Sequence, residues 1–456
     1  MADTGRNEAK GGLDTRRVTA ILDAVEAGDS ASLQALLKPL HPADVADLLE
    51  QIGADDRRAL LALWAGEIDG DILSEISDSI REEVIEWLPP DVVAEAVRDL
   101  DTDDVVDILE DLEEPAQEAI LSALERADRV AVEQAMAFPE YSAGRLMQRE
   151  VVVAPEHWTV GMMIDHLRSV DWLPDQFYHI ILVDPRMKPV AYVTLGRLLS
   201  ARRETALREI TEDSFRTVLA TEPEADVAYL FNQYHLISCP VVDAHGRLVG
   251  VITIDDAMNV LDEEHQEDML RMAGVSDEAT VTDGVLETLK GRLPWLFVNL
   301  CTANLAAFVI SRFEATITAI VVLAALMPIV ASMGGNAGTQ SLTVAVRALA
   351  TRDLTAANAL RVVRREAAVG LLNGLIFAVL MGSAGWLLFD WPALGAVIGA
   401  AIIINLVVAA LAGVLVPLTM QRLGADPALA SGTFVTTLTD VVGFFAFLGL
   451  ATWILL

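Results

Sequence analysis

Residues 431–456 read SGTFVTTLTDVVGFFAFLGLATWILL. The stretch is long and apolar enough to cross a bilayer, which takes about 20 residues. It holds one ionisable side chain, Asp440, about one-third of the way in. A carboxylate in hydrocarbon costs roughly 3 kcal/mol or more, so it normally faces a bundle interior or an aqueous path. The alternative is an Asp near enough to the helix start to reach water. Thr436, Thr437 and Thr439 add hydroxyl oxygens beside it, which suit a hydrated hard cation.

Working outward, four further apolar stretches precede this one. Together the five spans are predicted over 293–311, 315–337, 366–389, 393–420 and 433–456. Span two is followed by ASMGGNAGTQS, with Pro328 just before it. Glycines at 334, 335 and 338 argue against a regular helix from end to end. A broken helix is therefore expected, of the kind that lines a cavity; the alternative is a simple loop. Asn336 and Gln340 contribute neutral oxygens, which makes Asn336, Thr436 and Thr437 pore-lining candidates. Lys290, Arg292, Arg347, Arg352, Arg361, Arg364, Arg365 and Arg422 share one side of the membrane if the N-terminus is cytoplasmic, and Arg312 alone lies on the other. The positive-inside rule then puts the C-terminus outside.

The chain has 456 residues, a formal charge of −34 and a hydrophobic fraction of 53%, with mean hydropathy +0.42. Acidity and apolarity are segregated. Sixty of the 66 acidic and 24 of the 32 basic residues precede Gly291, so residues 1–290 carry −36 and the rest +2. Such a field repels nucleic acid and anionic lipid and attracts cations. The plainer alternative is a solvated acidic surface. Cys239 and Cys301 imply no disulfide framework. The opening MADTGRNEAKGGLDTRR has no apolar core and reads as no signal peptide, so the soluble part is expected in the cytosol. No HExxH spacing, P-loop or nucleophile–base arrangement is visible, so an enzyme is not expected.

Residues 1–135 read as helices. LHPADVADLLEQI at Leu40, LPPDVVAEAVRDL at Leu88 and LDTDDVVDILEDL at Leu100 repeat one plan: a leucine, a stop, then an acid opening an amphipathic helix. Such units bury their apolar stripes by stacking into a superhelix. From 145 to 265 the order strand–helix–strand–strand–helix occurs twice: VVVAP, TVGMMIDHLRSV, FYHIILVD and VAYVTL, then FRTVLA, ADVAYLFNQYHLI, SCPVVD and LVGVITI. This resembles a pair of CBS domains, small modules that bind adenosine groups. Their ribose-contact pattern, Gly-x-x-Ser/Thr-x-x-Asp, appears as Gly250, Thr253 and Asp256; the first module has Thr194 but Arg197 in place of the acid. At most one full nucleotide site is implied, for ATP or another adenine nucleotide. IDDAMNVLDEEHQEDMLRMAGV follows, an acidic helix leading to span one. A gating helix is the preferred reading and a passive connector the alternative.

The chain resembles the MgtE family of magnesium transporters along nearly its whole length, on EYSAGRLM (140–147), MGGNAGTQS (333–341), RALATRDL (347–354) and DPALASGTFVTTLTDVVGFF (426–445). The resemblance implies a multi-domain membrane protein. A disordered 1–17 precedes an all-α superhelical N-domain (18–138). An α/β CBS-domain pair (139–206 and 207–262), a connecting plug helix (255–290) and a five-helix transmembrane domain (291–456) follow. It implies a homodimer in the bacterial inner membrane, with Mg2+ as substrate and regulator and Asp440 in the path. It also implies regulatory ions on Asp71, Asp103 and Asp107, the Gly144 carbonyl, Asp256, Glu264, Glu267 and Asp268, closing the gate when cytosolic magnesium is high. The sequence departs from the family's pattern at Asn259, His235 and Pro223, so fewer regulatory ions or a response at higher magnesium is expected, and at Thr433, which bears on pore selectivity. Two rival readings are a CBS-bearing anion channel and a membrane-anchored nucleotide sensor without transport.

Overall fold

The computed structural model describes residues 13–456 apart from 65, 67, 111, 113, 171, 175–176, 277–278, 281–283 and 430–431. Two compact units divide the chain between Glu263 and Glu264.

The first unit opens with short helices: α1 (Thr15–Glu26), α2 (Ser30–Leu37), α3 (Pro42–Gln51), α4 (Ala54–Trp64), α5 (Gly70–Glu75), α6 (Asp78–Trp87), α7 (Pro90–Ala96), α8 (Thr102–Glu110), α9 (Glu114–Ala123) and α10 (Arg126–Ala135). Residues 1–12 of the stretch expected to be disordered lie outside the described residues, and Thr15–Arg17 are helical. The caps follow the composition. Asp14, Asp29 and Asp69 accept hydrogen bonds from backbone N–H groups at the starts of α1, α2 and α5, and Pro42 and Pro90 open α3 and α7. Apart from α1 on α2, helices pack on their second or third neighbours, as α3 on α5, α5 on α7 and α8, and α7 on α9. One continuous apolar core from Ile21 to Ala135 results. Two buried arginines bolt the stack. Arg57 Nε donates to the Leu49 carbonyl at 2.7 Å and its guanidinium pairs with Glu83 at 2.6 Å. Arg81 Nε donates to the Ile76 carbonyl at 3.0 Å, and Arg81 pairs with Asp107 at 2.9 Å.

Two three-stranded sheets follow. In the first, β1 (Val153–Pro155) lies parallel to β2 (His179–Val183), and β2 antiparallel to β3 (Pro189–Thr194); in the second, β4 (Val218–Leu219), β5 (Ser238–Val242) and β6 (Leu248–Thr253) repeat the order. Helices α11 (Val160–Ser169), α12 (Leu195–Ser200) and α13 (Glu224–Tyr234) connect and flank them. Each sheet carries a register shift at the matching place, Leu182/Val183 and Val241/Val242. The modules meet where His179 hydrogen-bonds to Ser238, the first residues of β2 and β5. The expected boundary at 139 shifts: Ser142 bridges to Pro223 and Gln148 to Val251, and Ala143 and Met147 pack in the second module's core. Residues 142–148 therefore complete the second module.

The acidic helix is α14 (Ile254–Ala273), shorter than the expected 255–290. Gly274 stops it at φ +72°, the left-handed conformation that glycine adopts at helix C-termini.

In the second unit, α15 (Val285–Ser311), α17 (Val322–Ala350), α18 (Ala359–Phe389), α19 (Pro392–Arg422) and α20 (Gly432–Leu455) are, among the described residues, the helices long and apolar enough to span; a short α16 (Glu314–Ala319) sits between the first two. Span two thus begins after 315, at Val322. Helices α17, α18 and α19 run to 29, 31 and 31 residues, well over 40 Å at about 1.5 Å per residue against a core of about 30 Å. Arg347, Arg361, Arg364, Arg365 and Arg422, expected in loops, therefore lie on helix ends that project past the hydrocarbon.

The largest departure concerns MGGNAGTQS. Helix α17 passes through it unbroken. The glycines are there for contact. A Cβ on Gly338 would stand 2.5 Å from Val435 Cγ1, one on Gly334 2.2 Å from Asn405 Nδ2, and one on Gly413 2.6 Å from the Gly338 carbonyl oxygen. Small residues let membrane helices touch backbone to backbone, and here they seat α17 against α19 and α20.

Gly413→Ala places its methyl against fixed backbone and should cost about 1–3 kcal/mol, read as a lowered unfolding temperature of the detergent-solubilised chain. Gly196→Ala, with open space around the position, should be neutral or slightly stabilising. Equal behaviour of the two would refute the contact role.

Candidate ion-binding sites

In the first unit the acids gather where α8 meets the start of α14. Asp103 and Asp104 open α8, and Asp255 and Asp256 open α14. Burial raises the Asp103 carboxyl well above its usual range, reinforced by Asp256, Asp104 and Asp101. Asp104 is pushed up to about 7 by burial and then by Asp256, Asp101, Asp107 and Asp71. Asp256 is pushed up to about 6 by burial, opposed by the hydrogen bond that the Thr253 hydroxyl donates to it, and raised further by Asp255 and Asp107. Carboxylates forced together out of water behave this way. The arrangement suits a cation that would neutralise them, and it brings Asp71, Asp103, Asp107 and Asp256 into one field. Asp104 joins them; its place beside Asp103 in TDDVV was the available signal.

Two expected ligands stand differently. Asp107 already has a cation, Arg81. Gly144 is buried, with its N–H donating to the Ala220 carbonyl at 2.8 Å, and a Cβ there would meet the Phe138 ring at 2.4 Å, so packing alone demands glycine. Its neighbour Arg145 pairs with Glu110 at the end of α8. Among the described residues, no three His, Cys, Asp or Glu side chains stand close enough to form a ready-made metal cage.

The departures from the family's pattern have local explanations in two cases. Pro223 caps the start of α13, and His235 ends that helix at φ 53°. Asn259 lies exposed on α14. Of the ribose pattern, Gly250 packs against Met147 and the Gln148 carbonyl, and Thr253 and Asp256 bond to each other. In the first module the Thr194 hydroxyl donates to Glu212 at 3.3 Å, and Glu212 pairs with Arg197 at 2.8 Å. A carboxylate thus stands beside Thr194 after all, supplied from outside the motif.

In the second unit, Glu264, Glu267 and Asp268 lie on the last turns of α14. Arg271 pairs with Glu267 at 2.9 Å and with Asp426 at 2.9 Å. A cavity of about 200 Å³ is lined by Glu264, Asp268, Gln421 and Asp426 among others. Burial, then neighbouring acids, raises both Glu264 and Asp268. Asp426 is a member of this group that sequence reasoning did not single out, because its partners lie some 160 residues away in sequence.

Deeper in this unit, Asp440 is half-buried on α20 and has no hydrogen bond or ion pair among the described residues. Thr436 and Thr437 lie one turn before it, on the same side of the helix. Thr437 and Thr439 donate to the carbonyls of Thr433 and Thr436 at 2.6 and 2.9 Å, which leaves their oxygens as acceptors. Gly335 of α17 sits against Thr436, so the turn that carries the exposed Asn336 borders the threonine turn of α20.

Asn405 was overlooked in the sequence. It lies mid-way along α19, 1% exposed, and its Nδ2 donates to the Val330 carbonyl at 2.8 Å. Its Oδ1 is buried without a partner among the described residues. An unsatisfied buried oxygen costs about 1–3 kcal/mol.

The magnesium transporter MgtE of Thermus thermophilus is 31% identical over 449 residues, covering 97% of this chain and 99% of that protein. The chain belongs to the MgtE family. The family's profile described as a divalent cation transporter matches residues 327–450, its intracellular N domain residues 40–141, and the CBS domain residues 207–263. The magnesium transporter MgtE of Bacillus subtilis is 26% identical over 435 residues, 95% of this chain and 96% of that one. A crystal structure of the cytosolic domain of the Mg2+ channel MgtE in complex with ATP is 29% identical, with a TM-score of 0.49, and covers 53% of this chain and 99% of that one. With five helices long and apolar enough to span among the described residues, this member of the family is a multi-pass membrane protein.

Acids whose folded values are raised destabilise the fold once ionised. Stability is therefore gained as pH falls through about 7 and then about 6 toward the ordinary carboxylate range near ~4. The full chain in detergent with chelator should unfold at a higher temperature near pH ~5.5 than near ~7.5, and Asp104→Asn should flatten that difference. A melting temperature that drops on acidification would contradict the burial of this cluster.

Proposed function

We propose that the chain carries magnesium inward across the bacterial inner membrane and closes when cytosolic magnesium rises. The observation that carries this reading is Asp440: a half-buried carboxylate without a partner among the described residues, on a helix of the divalent cation transporter region. An acid kept in a membrane domain without a fixed counter-ion is available to a passing cation. Magnesium dehydrates reluctantly, so Asp440, Thr436, Thr437 and Asn336 grip the waters of a largely hydrated ion. Two protomers meet along the faces of α17 and α20 that bear these groups, so that each contributes one Asp440. The membrane potential drives entry with about 2.3 kcal/mol per charge per 100 mV, twice that for a divalent ion. Transport of this kind includes no chemical step.

The soluble acids supply the closing signal. Asp71, Asp103, Asp104, Asp107 and Asp256 form one set; Glu264, Glu267, Asp268 and Asp426 form another. Ionised and unbridged, each set repels itself; bridged by magnesium, it holds together. Magnesium then favours the closed state by its greater affinity for it. The N-terminal domains are cytoplasmic and the C-terminus lies outside, as the arginine-bearing helix ends support. An adenine nucleotide binds at Gly250, Thr253 and Asp256, and because Asp256 also belongs to the first acidic set, nucleotide and magnesium act on one another there.

Uptake into proteoliposomes tests this directly. Asp440→Ala should lower the initial rate by on the order of a hundredfold, about 2.7 kcal/mol. Lumenal magnesium on the side of the soluble domains should suppress wild-type flux. Asp104→Asn with Asp256→Asn should raise the magnesium needed for suppression by on the order of tenfold. Flux that ignores both Asp440 and lumenal magnesium refutes the proposal.

A further inference from the structure

We infer that Asn405 is a positioning residue of the ion path: it sets the spacing of the two helices that bear Asn336 and Asp440. This rests on the reading that α17 and α20 line that path.

The geometry is a slot. A Cβ on Gly334 would meet Asn405 Nδ2, Cγ and Oδ1 at 2.2, 2.8 and 2.9 Å, and a Cβ on Gly443 would meet the same three atoms at 2.8, 3.0 and 3.2 Å. The flat amide of α19 therefore fills the gap between a glycine of α17 and a glycine of α20. Both glycines stand next to the path. Gly334 lies two residues before Asn336, and Gly443 one helical turn after Asp440. The amide also holds α17 axially, through the 2.8 Å bond from its Nδ2 to the Val330 carbonyl, one turn before Gly334. A bond to backbone fixes register in a way that apolar contact does not.

Stability alone does not explain the residue. Its Oδ1 is buried without a partner among the described residues, a penalty that an apolar side chain would avoid. What leucine lacks is the planar shape that enters the slot and the donor that holds Val330. Glycine pairs are common at membrane helix contacts; an amide wedged between two of them, one helical turn from Asp440, is a spacer.

The test separates spacing from folding. Asn405→Leu and Asn405→Ser are reconstituted as full chains. For each, the half-saturating magnesium concentration and the ratio of magnesium to calcium flux are measured beside the unfolding temperature. The inference expects the half-saturating concentration and ion ratio of Asn405→Leu and Asn405→Ser to shift by on the order of tenfold in protein that still folds, whatever the change in unfolding temperature. Gly334→Ala should be destabilised by its clash with the amide, and Asn405→Ser should restore its stability in the double variant without restoring the ion ratio. Should Asn405→Leu not assemble, Asn405→Ser alone and with Gly334→Ala carries the same comparison. Wild-type half-saturation and ion ratio in Asn405→Leu and Asn405→Ser, alongside loss of flux in Asp440→Ala, would overturn the inference and leave the path intact. Undiminished flux in Asp440→Ala would instead overturn the reading on which it rests.

Discussion

Backbone-to-backbone contact around α19 is what the membrane unit depends on. Lipid offers no hydrophobic drive between helices, since its tails are as apolar as leucine. Packing must come from close approach, and close approach from missing side chains. Gly413 lies against the Gly338 carbonyl, Gly370 against the Leu406 carbonyl, and Gly374 against Ile403. Helix α19 is accordingly buried along most of its length, from Leu394 to Leu418, while α18 turns Leu372, Ile376 and Val379 outward. Helices α17 and α20, which carry Asn336 and Asp440, both pack on that central helix.

The soluble unit solves an opposite problem. Its helices hold together by an ordinary apolar core, with Arg57 and Arg81 satisfying the carbonyls at helix ends, so it can carry carboxylates that crowd one another. In the proposed function their crowding is what would make them responsive, because a site that was already neutral would have nothing to gain from a divalent ion. The unit is assembled by one kind of interaction and, on that proposal, made sensitive by another.

Much of this was legible in the sequence. The five spans, the stacked helices and the doubled strand order follow from periodicity and capping, which are local. The isolation of Asp440 was legible because one acid in an apolar run is conspicuous. Glycine was the main source of error. In MGGNAGTQS its low helix propensity pointed to a break, but that penalty is about 1 kcal/mol per residue and three helices in contact outweigh it. Asn405 and Asp426 were invisible for a related reason: what distinguishes them is a neighbour far along the chain, Val330 or Gly443 for one and Arg271 for the other. Gly144 shows the converse, a motif residue whose identity is accounted for by a phenyl ring and a carbonyl.

Arg81 bears on how sharply such a sensor could respond. It is almost fully buried, its Nε is committed to a backbone carbonyl, and its guanidinium reaches Asp107 and Asp78. It is therefore a resident counter-ion, present at every magnesium concentration. The steepness of a dose–response curve grows with the number of ions that bind together, and each carboxylate matched in advance by a guanidinium is withdrawn from that number. In the proposed sensor, a fixed cation inside the acidic face would make the response more graded, and it would keep the helices that carry the remaining acids aligned when no magnesium is bound.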